Sequence, residues 1–211
     1  MIPLRDHNKS LTWPVVTYLL IGINLWVFFQ MWGMSPSGLE EFVETWSVRP
    51  ASIMSGMGLV TLLTSMFLHG GIAHVLGNML FLHIFGDNLE DRLGHIGYLI
   101  YYLVSGVAGS VAQIWADPSS TIPMLGASGA IAGLMGGYLV LFPRHRIDVL
   151  IPWGFWFEEL TLPAWTMLIY WIIFQVFGSL GSLGVDGGGI AYMAHVGGFA
   201  AGVVLVKFFL R

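Results

Sequence analysis

The chain has 211 residues, 56% of them hydrophobic and only 9% charged, with a formal net charge of −4 and no cysteine. A soluble domain carries about a quarter charged residues, so this composition cannot cover a water-facing surface. Intrinsic disorder, nucleic-acid binding through a basic face, disulfide-stapled folds, thiol catalysis and cysteine metal sites are excluded together.

Taken in chain order, the charges punctuate six apolar runs, and a span needs roughly 20 apolar residues. The runs predict helices at 12–32, 70–86, 95–115, 127–142, 164–183 and 190–210. The expected fold class is therefore an all-α polytopic membrane protein, a six-transmembrane-helix bundle forming one domain over 1–211. The first ten residues hold Arg5 and Lys9 without a cleavable apolar region, so the first span is expected to be retained.

Between the first two spans, Leu39, Phe42, Val43 and Trp46 recur at helical spacing, with Glu40, Glu41 and Glu44 opposite. This predicts an amphipathic helix, placed either in the outer interface or as a small core over the helix ends. The segment Trp153–Phe157 reads as an interfacial aromatic belt.

Orientation follows from the eight basic residues. With the N-terminus inside, Arg5, Lys9, Arg92, Arg144, Arg146, Lys207 and Arg211 face the cytoplasm and only Arg49 lies outside. Cytoplasmic loops carry the excess of Lys and Arg, so both termini are placed inside.

No Asp or Glu falls within the six runs, which argues against a pump built on buried acids. His74, Asn78, His83, Ser128 and His195 do fall within them, and each is costly in hydrocarbon. At 1.5 Å per helical residue, Ser128 lies about 22 Å above the inner boundary, His74 about 20 Å and His195 about 18–24 Å. In a core of about 30 Å all three sit some 10 Å below the outer surface. Pro118 and Pro123 make the stretch before Ser128 irregular, and such backbone is tolerated at membrane depth only beside protein or water. A wet recess open to the outside is expected there.

Gly129, Gly133 and Gly137 form a small-residue stripe on the fourth run; Ala194, Gly198 and Gly202 form another on the sixth. If the stripes face each other, close backbone approach makes Ser128 and His195 neighbours. A serine hydroxyl becomes a useful nucleophile when an adjacent base takes its proton, and an imidazole suits that task. Asn78, His74 and the Ser128 backbone N–H are candidate donors to a developing oxyanion. His69 reads as a loop histidine and His83 as a packing histidine. A His74/His83/His195 metal site lacks a carboxylate and a recognised ligand spacing, so no metal and no cofactor are expected.

These residues resemble the rhomboid family of intramembrane serine proteases. Gly126-Ala127-Ser128-Gly129 is similar to its GxSG motif, and Ala194-His195 with Gly198 and Gly202 to its AHxxGxxxG motif. His69, His74 and Asn78 match its HxxxxHxxxN pattern, and Glu90–Gly94 resembles the segment closing that helix. The resemblance implies Ser128 as nucleophile and His195 as general base. It also implies His74, Asn78, the Ser128 N–H and Gly126 as the oxyanion and substrate-binding side, and Gly129, Gly133, Gly198 and Gly202 as packing residues. The implied partners are transmembrane protein substrates in the lipid bilayer, with no nucleic acid and no metal, in a prokaryotic plasma membrane. Val60-Thr61 stand where the family often has Trp-Arg. Ala132 stands where an aromatic often packs on the histidine, which leaves the residue orienting His195 unassigned. The alternatives are a non-cleaving rhomboid-fold protein that binds membrane clients, and a small transporter, which would need a polar path through the whole bilayer.

Overall fold

The computed structural model of the protein describes residues 1–182 and 190–210. Among them are eight α-helices: α1 Val15–Trp32, α2 Pro36–Trp46, α3 Pro50–Met54, α4 Thr61–Thr64, α5 Ile72–Ala116, α6 Ser128–Leu141, α7 Ala164–Ser182 and α8 Tyr192–Leu205. Three strands accompany them: β1 Ile2–Asp6, β2 Arg146–Trp153 and β3 Trp156–Pro163. Arg211 and the last residue of the expected span 164–183 lie outside the described residues. Three helices, α1, α5 and α7, are long and apolar enough to cross a membrane, while α6 and α8 are shorter apolar helices.

The backbone of α5 departs from helical geometry at Gly94, with φ 67° and ψ 162°, a conformation that favours glycine. The chain turns back there: a Cβ on Gly86 would lie 2.7 Å from the Tyr98 hydroxyl. Residues 72–93 and 95–116 are thus two arms of one helical hairpin. The helix runs beyond the expected span 70–86 to Gly94, within the segment Glu90–Gly94 that was likened to the close of that helix. The charges Asp87–Arg92 were read as the end of the span, yet they continue the helix. Glu90 among them is buried, and its carboxylate accepts the backbone N–H groups of Val16 and Thr17, both at 2.8 Å. It caps the start of α1 from another helix, where orphan N–H groups and the positive dipole end favour an anion.

Helix α6 forms the centre, with every residue from Gly129 to Tyr138 buried. Its glycine stripe meets that of α8. A Cβ on Gly202 would lie 2.7 Å from the Gly133 carbonyl carbon, so only glycine permits this spacing. The Tyr101 hydroxyl reaches the carbonyls of Gly133 (2.7 Å) and Gly202 (3.0 Å), tying α5 to both.

The chain is mostly helical, as expected, but it also carries a small sheet that the expected all-α class did not include. β1, β2 and β3 form an antiparallel sheet in that order. Ile147, Asp148 and Val149 are all buried in succession on β2. Residues 153–157 form the tip of the β2–β3 hairpin: Gly154, at φ +65°, and Phe155 make the turn between paired Trp153 and Trp156, and Phe155, Trp156 and Phe157 are exposed. Asp148, 2% exposed, joins all three strands. It receives Arg5 Nε at 2.5 Å from β1 and Thr161 Oγ1 at 2.7 Å from β3, and His7 Nε2 lies 2.9 Å away.

The sheet and the Gly94 turn lie at one end of the bundle, since α1 begins beside Glu90 and Asp91, just after β1. The other end holds α2–α4 and the stretch before α6. Val48 and Met124 form a bridge there, and Ala51 N donates to Ser120 O at 3.0 Å. No residue of α2 is buried, and its Leu39, Phe42 and Val43 are half-buried.

Candidate active site

Ser128 is the first residue of α6, and it follows a backbone turn that Gly126 makes possible. Gly126 has φ +126°, and its N–H donates to Ser65 O at 2.9 Å. A Cβ at Gly126 would lie 2.8 Å from His74 Nε2 and 3.6 Å from Asn78 Nδ2, so its missing side chain keeps these two groups over the start of α6. His74 and Asn78 lie one turn apart on the first arm of α5, on the same face.

Across the α6–α8 contact, His195 Nε2 lies 2.8 Å from Ser128 Oγ. The two residues are 67 positions apart, and the shared glycine seam holds them in register. Both are half-buried, as are His74 and Asn78, so the group is neither sealed in the core nor spread over the surface. The backbone N–H of Ser128 starts a helix, and the side chains of His74 and Asn78 stand nearby. Donors so grouped suit an oxygen that gains negative charge. A cavity of about 30 Å³ adjoins Ser128, lined among others by Ser65, Ser110, Leu125 and Ala194. It is large enough for a water molecule, which needs roughly 10–15 Å³.

The family model for the Rhomboid domain matches residues 57–211, a stretch holding this whole constellation. The chain belongs to the rhomboid family. This rhomboid is an integral membrane protein, in keeping with its long apolar helices. It is 29% identical to Rhomboid protein 1, mitochondrial, of Saccharomyces cerevisiae over 95% of this chain and 53% of the relative. It is 33% identical to Rhomboid protease GluP of Bacillus subtilis over 63% of this chain and 26% of the relative. Against Putative rhomboid protease YdcA of the same organism it is 29% identical over 92% of this chain and 87% of the relative. The rhomboid thus spans about half of the yeast relative and about a quarter of GluP. Its relatives include both bacterial and mitochondrial proteins.

Two residues at the site of this rhomboid, Trp171 and Gln175, were not singled out from its sequence, and a third, His69, was matched to the HxxxxHxxxN pattern without being given a role. His69, read as a loop histidine, is 2% exposed; its Nε2 accepts from Asn78 Nδ2 at 2.8 Å, and its ring lies 5.0 Å from that of His74. Trp171 on α7 packs on the His195 ring at 5.6 Å, and the Gln175 side chain reaches His195 Nδ1 at 2.7 Å. Gln175 carried a usable signal, a lone amide within an apolar run and one turn from Trp171. His83 lies apart from this group, exposed and 6.0 Å from the Tyr18 ring.

Proposed function

We propose that the protein is an intramembrane serine endopeptidase, with Ser128 as nucleophile and His195 as its general base. The single observation that carries this reading is the 2.8 Å approach of His195 Nε2 to Ser128 Oγ, two half-buried groups on different helices. Hydrogen-bond reach between nucleophile and base is the geometry that activates a serine hydroxyl.

In this reaction the Ser128 oxygen bonds to the scissile carbonyl carbon while its proton passes to His195 Nε2. The resulting oxyanion accepts from the Ser128 N–H, His74 and Asn78. The C–N bond breaks, and His195 returns the proton to the leaving amine. Water then attacks the acyl-serine, giving one proton to His195, which hands it back to Ser128 Oγ. The cavity beside Ser128 has room for that water.

The substrates proposed are membrane-anchored proteins, cut in or near a transmembrane segment. The bilayer arrangement proposed has six spans within one domain: α1, the two arms of α5, α6, α7 and α8. Arg5, Arg92, Arg144 and Arg146 lie at the sheet end, and Arg49 lies at the end that holds Ser128. By the positive-inside rule the sheet is cytoplasmic and the site opens outside, in a prokaryotic plasma membrane.

The test is labelling of the detergent-purified protein by a fluorophosphonate probe, beside cleavage of a membrane-anchored reporter. Labelling and cleavage are expected in the parent and lost in Ser128→Ala; His195→Ala is expected to lose both as well. A folded parent that neither labels nor cleaves would instead support a non-cleaving protein that binds membrane clients.

A further inference from the structure

A serine–histidine pair works only if the imidazole presents an unprotonated Nε2 to the hydroxyl, and something must hold the other ring nitrogen to achieve this. Ala132, one turn after Ser128 and fully buried, has no ring or polar group to offer. Neither dyad-bearing helix supplies a partner to His195 Nδ1. Helix α7 does. Gln175 Oε1 lies 2.7 Å from His195 Nδ1.

The direction of this contact can be deduced. The Gln175 amide nitrogen lies 3.4 Å from the Trp171 carbonyl oxygen one turn back, an acceptor that fits a donor group. With Nε2 engaged there, the oxygen faces His195, and an amide oxygen only accepts. Nδ1 must then carry the hydrogen, and Nε2 keeps its lone pair for the Ser128 hydroxyl at 2.8 Å. A neutral amide does this without placing a carboxylate in the hydrocarbon, where charge is costly. The backbone beneath the ring is anchored separately: Gln113 Oε1 accepts from Met193 N at 3.0 Å and Ala194 N at 3.3 Å, at the first turn of α8.

We propose that Gln175 is the positioning residue of His195, fixing its Nδ1–H tautomer from a helix that bears neither reacting group. This rests on the dyad reading above and adds the third member that reading lacks.

The experiment compares parent, Gln175→Leu and Gln175→Glu in detergent, with His195 identified by difference from His195→Ala. ¹⁵N spectra of histidine-labelled protein report which ring nitrogen is protonated. Cleavage of the anchored reporter gives kcat and KM, and thermal unfolding verifies that each variant is folded. The parent is expected to show Nδ1–H at His195. Gln175→Leu is expected to lose that tautomer and to lower kcat about 10–100-fold, the scale on which losing the outer hydrogen-bond partner of a metal-binding imidazole acts, with KM unchanged. Gln175→Glu keeps an acceptor and is expected to restore the tautomer and part of kcat, at a lower unfolding temperature because it places a carboxylate in the hydrocarbon. Folded Gln175→Leu with parental tautomer and parental kcat would overturn the proposal while leaving the dyad intact. An inactive parent whose tautomer still depends on Gln175 would overturn the dyad reading and support the tautomer assignment.

Discussion

Gly198 lies so close to Gly129 that a Cβ on it would sit 2.9 Å from the Gly129 carbonyl carbon and 3.3 Å from its Cα. The contact falls one residue after Ser128 and one turn after His195. Spacing between the helices and spacing between the two side chains are therefore the same quantity. Gly198→Val is expected to destabilise the fold by about 1–3 kcal/mol, the cost of overpacking a tight contact. It should also abolish probe labelling at temperatures where it remains folded. Thermal unfolding followed by labelling of the folded fraction checks both. Full labelling of a folded variant would show that the seam does not set the dyad distance.

Asn78 and His69 form a second pair with separable consequences. Asn78 Nδ2 has two hydrogens; one goes to His69 Nε2, and the other is free to serve the space above Gly126. Asn78→Ala is expected to lower kcat by about 10²–10³, as removal of an oxyanion donor does, with a small effect on KM. His69→Phe leaves the amide in place but unheld, so a smaller loss of about tenfold is expected, the scale of one hydrogen bond. Steady-state cleavage of the reporter distinguishes them. Equal losses would make Asn78 a packing residue and not a donor.

The sheet supplies a pH dependence away from the membrane. Hydrogen bonds from Thr161, Arg5 and His7 hold the Asp148 carboxyl below its usual range. A carboxylate whose folded pKa is depressed stabilises the fold above its unfolded value, about 3.9. That stabilisation is lost as the pH falls through the folded value. Unfolding of the parent at pH 7 and at progressively lower pH should therefore show a decline below about pH 4. Asp148→Asn should be less stable at pH 7 and should flatten that decline. A variant with the parental profile would remove Asp148 as the tie between the strands.

Much of the site was legible because lipid makes polar residues conspicuous. Ser128, His195, His74 and Asn78 stand out in apolar runs, and helix rise brings three of them to one depth. The same rule applied to α7 would have raised Gln175, a lone amide between Phe174 and Val176. His69 was matched to the HxxxxHxxxN pattern but given no role, because it lies outside an apolar run, where histidine is unremarkable. Glu90 was read as a stop signal, since a charge usually ends a span. Its capping of α1 depends on a residue 74 positions away. The strand β2 was not legible because Leu150 breaks the alternation of Ile147, Asp148 and Val149, and too short a period-two stretch is left before the aromatics.

By itself the sequence determined that this is a membrane protein, roughly where its helices run, and which few polar side chains are worth their cost in hydrocarbon. These follow from local periodicity and transfer energy, which need no knowledge of neighbours. Only the tertiary structure decided which polar group meets which: Gln175 with His195, His69 with Asn78, Glu90 with the start of α1, Asp148 with three strands. Each such pairing joins residues on separate elements. Hydrogen bonds are short and directional, so they are settled by how the helices and strands pack and not by the identity of either partner.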